Sequence, residues 1–363
     1  MSVILFLAVL FVLILVHEWG HYIVAKKTGM RVDEFAIGFP PKVFSIKKGE
    51  TEYSFNWLPI GGFVRIYGEN LDTAKDTVDQ PRSFAAKPHW AQALVLVAGV
   101  TMNVIFAWFL FALTFMIGIP TAVEESAATP EAALYVSGIL PESPLRDTLT
   151  PGTEIISVRA GENELISPTP TSFTEFVQQN KSSELTITYT TPQSETATAA
   201  VTPIAGLIPG DEERVAVGIS LALVETVQQS LPEAIVSATT ATLSGLKNIT
   251  VGLYSLIADS VRGQADFSQL AGPVGIVGLV GEAAEFGFTT LLTFTAVISL
   301  NLAVINMLPI PALDGGRLLF VAYEAVARRP INPVWAGRMN LIGFVLLISL
   351  MVIVTWNDIA RLI

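Results

Sequence analysis

No cysteine occurs anywhere in the 363 residues, which excludes disulfides, thiolate metal sites and cysteine nucleophiles. Histidine is nearly as scarce, at three residues, so any metal must be held by a few imidazoles together with Asp or Glu. Charge is thin as well: Asp, Glu, Lys and Arg make up 15% of the chain, where soluble domains carry about a quarter. No glycine-rich phosphate loop and no basic patch suited to nucleic acid can be found. Hydrocarbon fills the space instead. Apolar residues reach 51% and mean hydropathy is +0.56, the composition of a membrane protein.

Spanning segments need about 20 mostly apolar residues, and four fit: 1–25, 91–120, 288–308 and 334–357. The first lacks a basic start and a small-residue cleavage site, so it is expected to be retained rather than removed as a signal peptide. Within 231–287, the stretch 231–261 is apolar but interrupted by Thr, Ser, Lys247 and Asn248, which suits an amphipathic helix lying at the interface.

The acidic excess sits in one place. Residues 121–230 hold 15 Asp+Glu against 4 Lys+Arg, leaving 17 of each elsewhere. Rich in Thr, Ser and Pro and without a spanning run, this segment reads as a water-exposed domain of roughly 100 residues inserted between spans. The segment 26–90 carries ten Lys+Arg, and 309–338 adds Arg317, Arg328, Arg329 and Arg338. Positively charged loops stay cytoplasmic, so both face the cytoplasm, in contact with anionic lipid, while the acidic insert and both termini face the other side.

The chemistry begins at His17-Glu18-Trp19-Gly20-His21. Histidines four apart project from one helix face and can share a divalent cation, and the adjacent Glu18 is placed to act as a general base. Val3–Val16 is almost wholly hydrocarbon. Ionisable groups so deep in a membrane point to function. His17 lies about 24 Å along the helix from its start, in the cytoplasmic half of the span. Catalytic zinc usually takes three protein ligands. His89, the remaining histidine, follows Pro88 at the start of the second span. Asp314 is the better candidate, because Asn306–Gly316 breaks the third span with two prolines and two glycines at the same depth. Used otherwise, it would be a turn aspartate in a cytoplasmic loop.

These motifs together resemble the site-2 protease family of intramembrane zinc metalloproteases, most closely the bacterial regulator-of-sigma-E protease branch. The resemblance also rests on GlyGlyPheValArg at 61–65, AlaGly at 98–99 with Asn103, Gly272-Pro273-Val-Gly275-Ile, LeuIleGlyPheVal at 341–345 and TrpAsnAspIle at 356–359. It implies Zn2+ held by His17, His21 and Asp314, Glu18 as general base toward a zinc-activated water, and a substrate site lined by Asn306, Pro309, Gly61, Gly62 and Phe63. It implies a bacterial inner-membrane, multi-pass protein acting on single-pass membrane substrates, of the anti-sigma-factor or signal-peptide-remnant type. Three departures stand out: Pro40 and Val100, where the family commonly has Gly and Pro, and Thr153, where it usually has Asp.

The architecture expected is therefore a polytopic α-helical membrane protein with four transmembrane helices, a membrane-associated β-hairpin region and an inserted PDZ-like α+β domain. Val43–Ile46, a Lys47-Lys48-Gly49-Glu50 turn and Thr51–Trp57 read as a hairpin, and Gly61–Ile66 as a further strand. A free strand edge beside the metal would accept an unwound substrate as an added strand. The insert resembles a single PDZ-like domain through Ser143-Pro144, Gly152 and Ile155-Ile156. The alternative function is a non-proteolytic membrane receptor or scaffold working through that domain. A transporter is less well supported, because the second and fourth spans are nearly bare of polar residues.

Overall fold

A computed structural model describes residues 1–69, 80–192, 195–207, 214–264 and 271–362. Residues 70–79 of the expected cytoplasmic-side segment, and 265–270 of the segment expected at the interface, lie outside that set. The chain divides into two compact units: Met1–Leu113 with Leu231–Ala284 and Leu291–Ile363, and Thr114–Ser230 with Glu285–Thr290.

The first unit opens with helix α1, Ser2–Lys27. An unbroken apolar run leaves the backbone no partner except itself, so it coils into a helix. Lys26 and Lys27 sit in the last turn, where cations complement the helix dipole, and Gly29 with φ 71° reverses the chain. Strands β1 (Val32–Lys48) and β2 (Thr51–Ile66) follow. Their register is compound. Lys42–Lys48 pairs with Thr51–Asn56 as the expected hairpin, but Glu34–Ile37 is flanked on both sides, by Gly62–Arg65 and by Glu52–Phe55. Residues 34–37 thus add a central strand to the expected hairpin and further strand. In the fold Glu34 is buried, accepts from Ser54 Oγ at 2.6 Å, and is paired with Arg65 and Lys42.

Helix α2 (His89–Ile117) crosses α1 closely: a side chain at Gly20 would strike the Ala98 carbonyl. Small residues permit such approach where helices lack a hydrophobic drive to associate. Beneath the crossing, Ala25, Met30, Val32, Ile66, Phe84, Ala91, Val95 and Leu96 form a buried apolar core.

The second unit follows in sequence. It comprises β3 (Ile119–Ala122), β4 (Ala133–Ile139), β5 (Glu154–Ala160), β6 (Asn163–Ile166), helix α3 (Pro170–Gln179), β7 (Leu185–Thr190), β8 (Thr196–Val201), β9 (Ile204–Ala205), β10 (Val215–Ala216) and β11 (Ile219–Val227). Seven strands form one sheet, in order β3-β11-β4-β5-β7-β8 with β6 on β5, and β9 pairs with β10. Alternating inward residues such as Leu185, Ile187 and Tyr189 supply its core, joined by Phe173 and Val177 of α3. Helix α3 begins in a capping box between Thr169 and Ser172, with Pro170 in its first turn.

The remaining helices are α4 (Leu231–Val261), α5 (Pro273–Glu285), α6 (Phe288–Asn306), α7 (Asp314–Ala327) and α8 (Pro333–Leu362). Helices α1, α2, α6 and most of α8 are long and apolar enough to cross a membrane. The ends differ from the sequence reading by a few residues, most at α8, which runs on to Leu362. Helix α4 is continuous over 31 residues. It buries Ala234, Ala238 and Thr242 at four-residue spacing; Trp108 of α2 donates to Thr239 Oγ1 at 3.0 Å, and Gly245 abuts Leu300 of α6. These contacts fall within α2 and α6, so the small and hydroxylated residues of α4 serve packing against other helices. At the far end Asp358 of α8 accepts from Gly272 N at 3.0 Å and Gly275 N at 2.8 Å, capping α5 and joining two motifs remote in sequence.

Candidate metal centre

One turn of α1 carries His17 and His21, with ring centroids 4.7 Å apart and their Nε2 atoms 3.1 Å apart. The third group arrives from the broken end of α6. After Asn306 the chain turns through Pro309 and Pro311 and re-enters helix at Asp314, the first residue of α7. Glycine is required at two steps: side chains at Gly315 and Gly316 would enter the carbonyls of Met307 and Ile310. Ala312 holds φ 78°, and its N–H donates to Asn340 Oδ1 of α8 at 3.3 Å. Arg317, one turn on, pairs with Glu69 beyond the end of β2.

This turn brings Asp314 Oδ2 to 3.1 Å from His17 Nε2 and 3.3 Å from His21 Nε2. One ligand atom from each of the three lies within 4.8 Å of the others. Asp314 Oδ2 is buried without a hydrogen-bond donor of acceptable geometry. Two imidazole nitrogens and an unsatisfied carboxylate oxygen facing one point suit a divalent cation, and these hard and borderline donors fit zinc. The tautomers agree. His21 Nδ1 donates to the Val95 carbonyl at 2.8 Å, leaving the Nε2 lone pair inward. The Asn103 amide lies 3.4 Å from His17 Nδ1, and its Oδ1 is buried without a donor. Amide oxygen and nitrogen are exchangeable assignments, and turning this one satisfies Oδ1 with a proton on His17 Nδ1, again freeing Nε2. Gly99 completes the fit, since a methyl there would meet both imidazoles.

A cavity of about 250 Å³ opens beside these groups, lined among others by His17, Glu18, Asn103, Asn306 and Asp314. Glu18 also reaches a narrower pocket with Gly61 and Gly62, where Phe11, Leu15, Ala36 and Ile37 supply apolar walls. Of the residues expected to contact substrate, Asn306 lines the cavity and Gly61 and Gly62 the second pocket. Pro309 and Phe63 line neither; Phe63 stacks on Phe39 at 6.2 Å. His89 begins α2, exposed and apart from the three. Sequence reasoning missed the Val95 carbonyl, a backbone group without a side-chain signature, and the fit of Gly99.

The family model for peptidase family M50 matches residues 5–350. The chain belongs to peptidase family M50. A protein of Clostridium perfringens is 35% identical to it over 96% of this chain and 95% of its own length. The zinc metalloproteases RasP of Oceanobacillus iheyensis and Geobacillus kaustophilus are each 30% identical, over 99% of this chain and 99% and 98% of their own. The segment matched to the M50 family contains His17, Glu18, His21, Asn306 and Asp314 together.

Proposed function

We propose that this chain is an intramembrane endopeptidase hydrolysing peptide bonds within or near the transmembrane segments of single-pass membrane proteins, with Zn2+ held by His17, His21 and Asp314. Membership of its family makes it a membrane zinc metalloprotease. The convergence of three potential ligand atoms beside a cavity that also holds Glu18 carries the finer reading. When bound, zinc supplies Lewis-acid polarisation of the scissile carbonyl and a more acidic water at neutral pH.

Glu18 takes a proton from the attacking water and passes it to the leaving amine as the C–N bond breaks. Val95 and Asn103 hold the imidazoles in one tautomer, and Asn306, which lines the same cavity, orients the substrate backbone. A helical substrate hides its carbonyls in its own hydrogen bonds, so it must be extended before cleavage. The Gly61–Ile66 segment of β2, next to Glu18, offers an edge to hold it so. Residues 121–230 act as a PDZ-like module on the extracytoplasmic side, selecting or spacing substrates, while the metal centre lies toward the cytoplasmic side of the inner membrane.

The test compares purified protein with its Glu18→Gln variant on a transmembrane-segment substrate, with and without chelator. The variant should retain zinc by metal analysis yet lose cleavage by about 10²-fold or more. Equal cleavage by the two proteins would end this reading.

A further inference from the structure

Glu18 is hydrogen-bonded to the backbone of β2. On the inner side of the sheet, Gly62, Phe63, Val64 and Arg65 pair antiparallel with Ile37, Ala36, Phe35 and Glu34. Successive residues of such a strand turn their N–H and C=O groups to opposite edges. The Val64 N–H donates to Glu18 Oε2 at 3.0 Å, on α1 and outside the sheet. It therefore belongs to the outer edge, together with the groups of Gly62 two residues before. Gly62 itself backs onto α1, where a side chain would stand 3.7 Å from Glu18 Cγ and from Ile14.

We propose that the Val64 amide is a latch on Glu18, making Val64 a positioning residue whose partner changes when substrate binds. This rests on the reading that substrate adds as a strand to β2. A substrate strand paired with the outer edge at Val64 presents a backbone carbonyl to the same N–H. One amide proton serves one strong acceptor, so carbonyl and carboxylate compete for it. Pairing displaces Glu18 from the strand and frees its carboxylate toward the cavity it lines with His17 and Asp314. The base is then released by an extended, correctly seated backbone. Segments that remain helical, or peptides too short to reach Gly62 and Val64, leave Glu18 tied. Selectivity for unwound substrate thereby resides in one hydrogen bond. If the bond served only to satisfy a buried carboxylate, its loss would slow all substrates alike.

That difference gives the test. Val64→Pro removes the N–H without removing a ladder bond to β1, a setting in which an edge strand tolerates proline. A second variant carries the α-hydroxy analogue of valine at position 64, so that an ester replaces the amide and the side chain is kept. Each is assayed on a fluorogenic tripeptide and on a transmembrane-segment substrate, with zinc content measured in parallel. The expected result is opposite shifts: tripeptide turnover rises several-fold, and cleavage of the transmembrane substrate falls about tenfold, with zinc retained. If both activities fall together, or the tripeptide rate does not rise, the latch is overturned while strand addition stands. Undiminished cleavage of the transmembrane substrate overturns strand addition, and the latch with it. Should the proline variant lose zinc, the ester variant decides.

Discussion

At Gly99 the absence of a methyl group leaves room for the imidazoles of His17 and His21. A Cβ there would lie 2.7 Å from His21 Cε1 and 2.8 Å from His17 Cε1, and the rings cannot yield because Val95 and Asn103 hold their far sides. Gly99→Ala should therefore weaken zinc binding about 10- to 100-fold, the scale of losses seen when groups around metal ligands are disturbed. Chelator competition on the folded protein measures it, and wild-type affinity would refute the packing argument. The histidine pair was legible in sequence, because four-residue spacing alone puts two side chains on one helix face. Asp314 was legible only as the better of two candidates. The break that favours it over His89 is written locally, in the prolines and glycines of Asn306–Gly316, but the path that carries Asp314 to the histidines is not.

At the scale of elements, the β region hangs from α1 by its turn. Glu50 accepts from Lys26 Nζ at 2.6 Å and from Arg82 at 2.8 Å. The Arg82 guanidinium first, then Lys26, hold its carboxyl well below the usual carboxylate range, down to about 2. A depressed carboxylate stabilises the fold above its ordinary pKa near 4.5, and that contribution disappears as pH falls toward about 2. The pair is partly solvated, so salt reduces the effect. In thermal melts, Glu50→Gln should lower stability modestly at pH 6 to 7, with the gap to wild type closing between about pH 4.5 and 2. A gap independent of pH would assign the loss to packing. The hairpin at 42–56 could be read from alternation and its Gly49 turn. The central place of 34–37 in the sheet could not: a buried Glu34 makes sense only once Arg65, Lys42 and Ser54 surround it.

Over the whole molecule, the chain enters and leaves the sheet-rich unit side by side, since β3 and β11 pair from Ile119 with Val227 to Ala122 with Val224. Paired Cα atoms stand about 5 Å apart, so a short Gly-Ser linker can replace Thr121–Glu225 without straining its neighbours. The shortened protein should retain zinc at wild-type stoichiometry, measured by metal analysis after detergent purification. Loss of zinc would mean that the helical unit does not fold by itself. Composition had already separated the two units, because 15 acidic residues against 4 basic cannot sit in a bilayer.

The sequence by itself determined which segments are apolar enough to span, where the charged loops lie, and which helix carries the His17–His21 pair. Each depends on spacing or composition within a short stretch of chain. Only the tertiary structure decided that Asp314 meets those histidines, that Asn103, Val95 and Gly99 shape their setting, and that Val64 reaches Glu18. Those contacts join residues tens to hundreds of positions apart, and they depend on where a helix breaks, how closely two helices cross and which edge of a strand is left open.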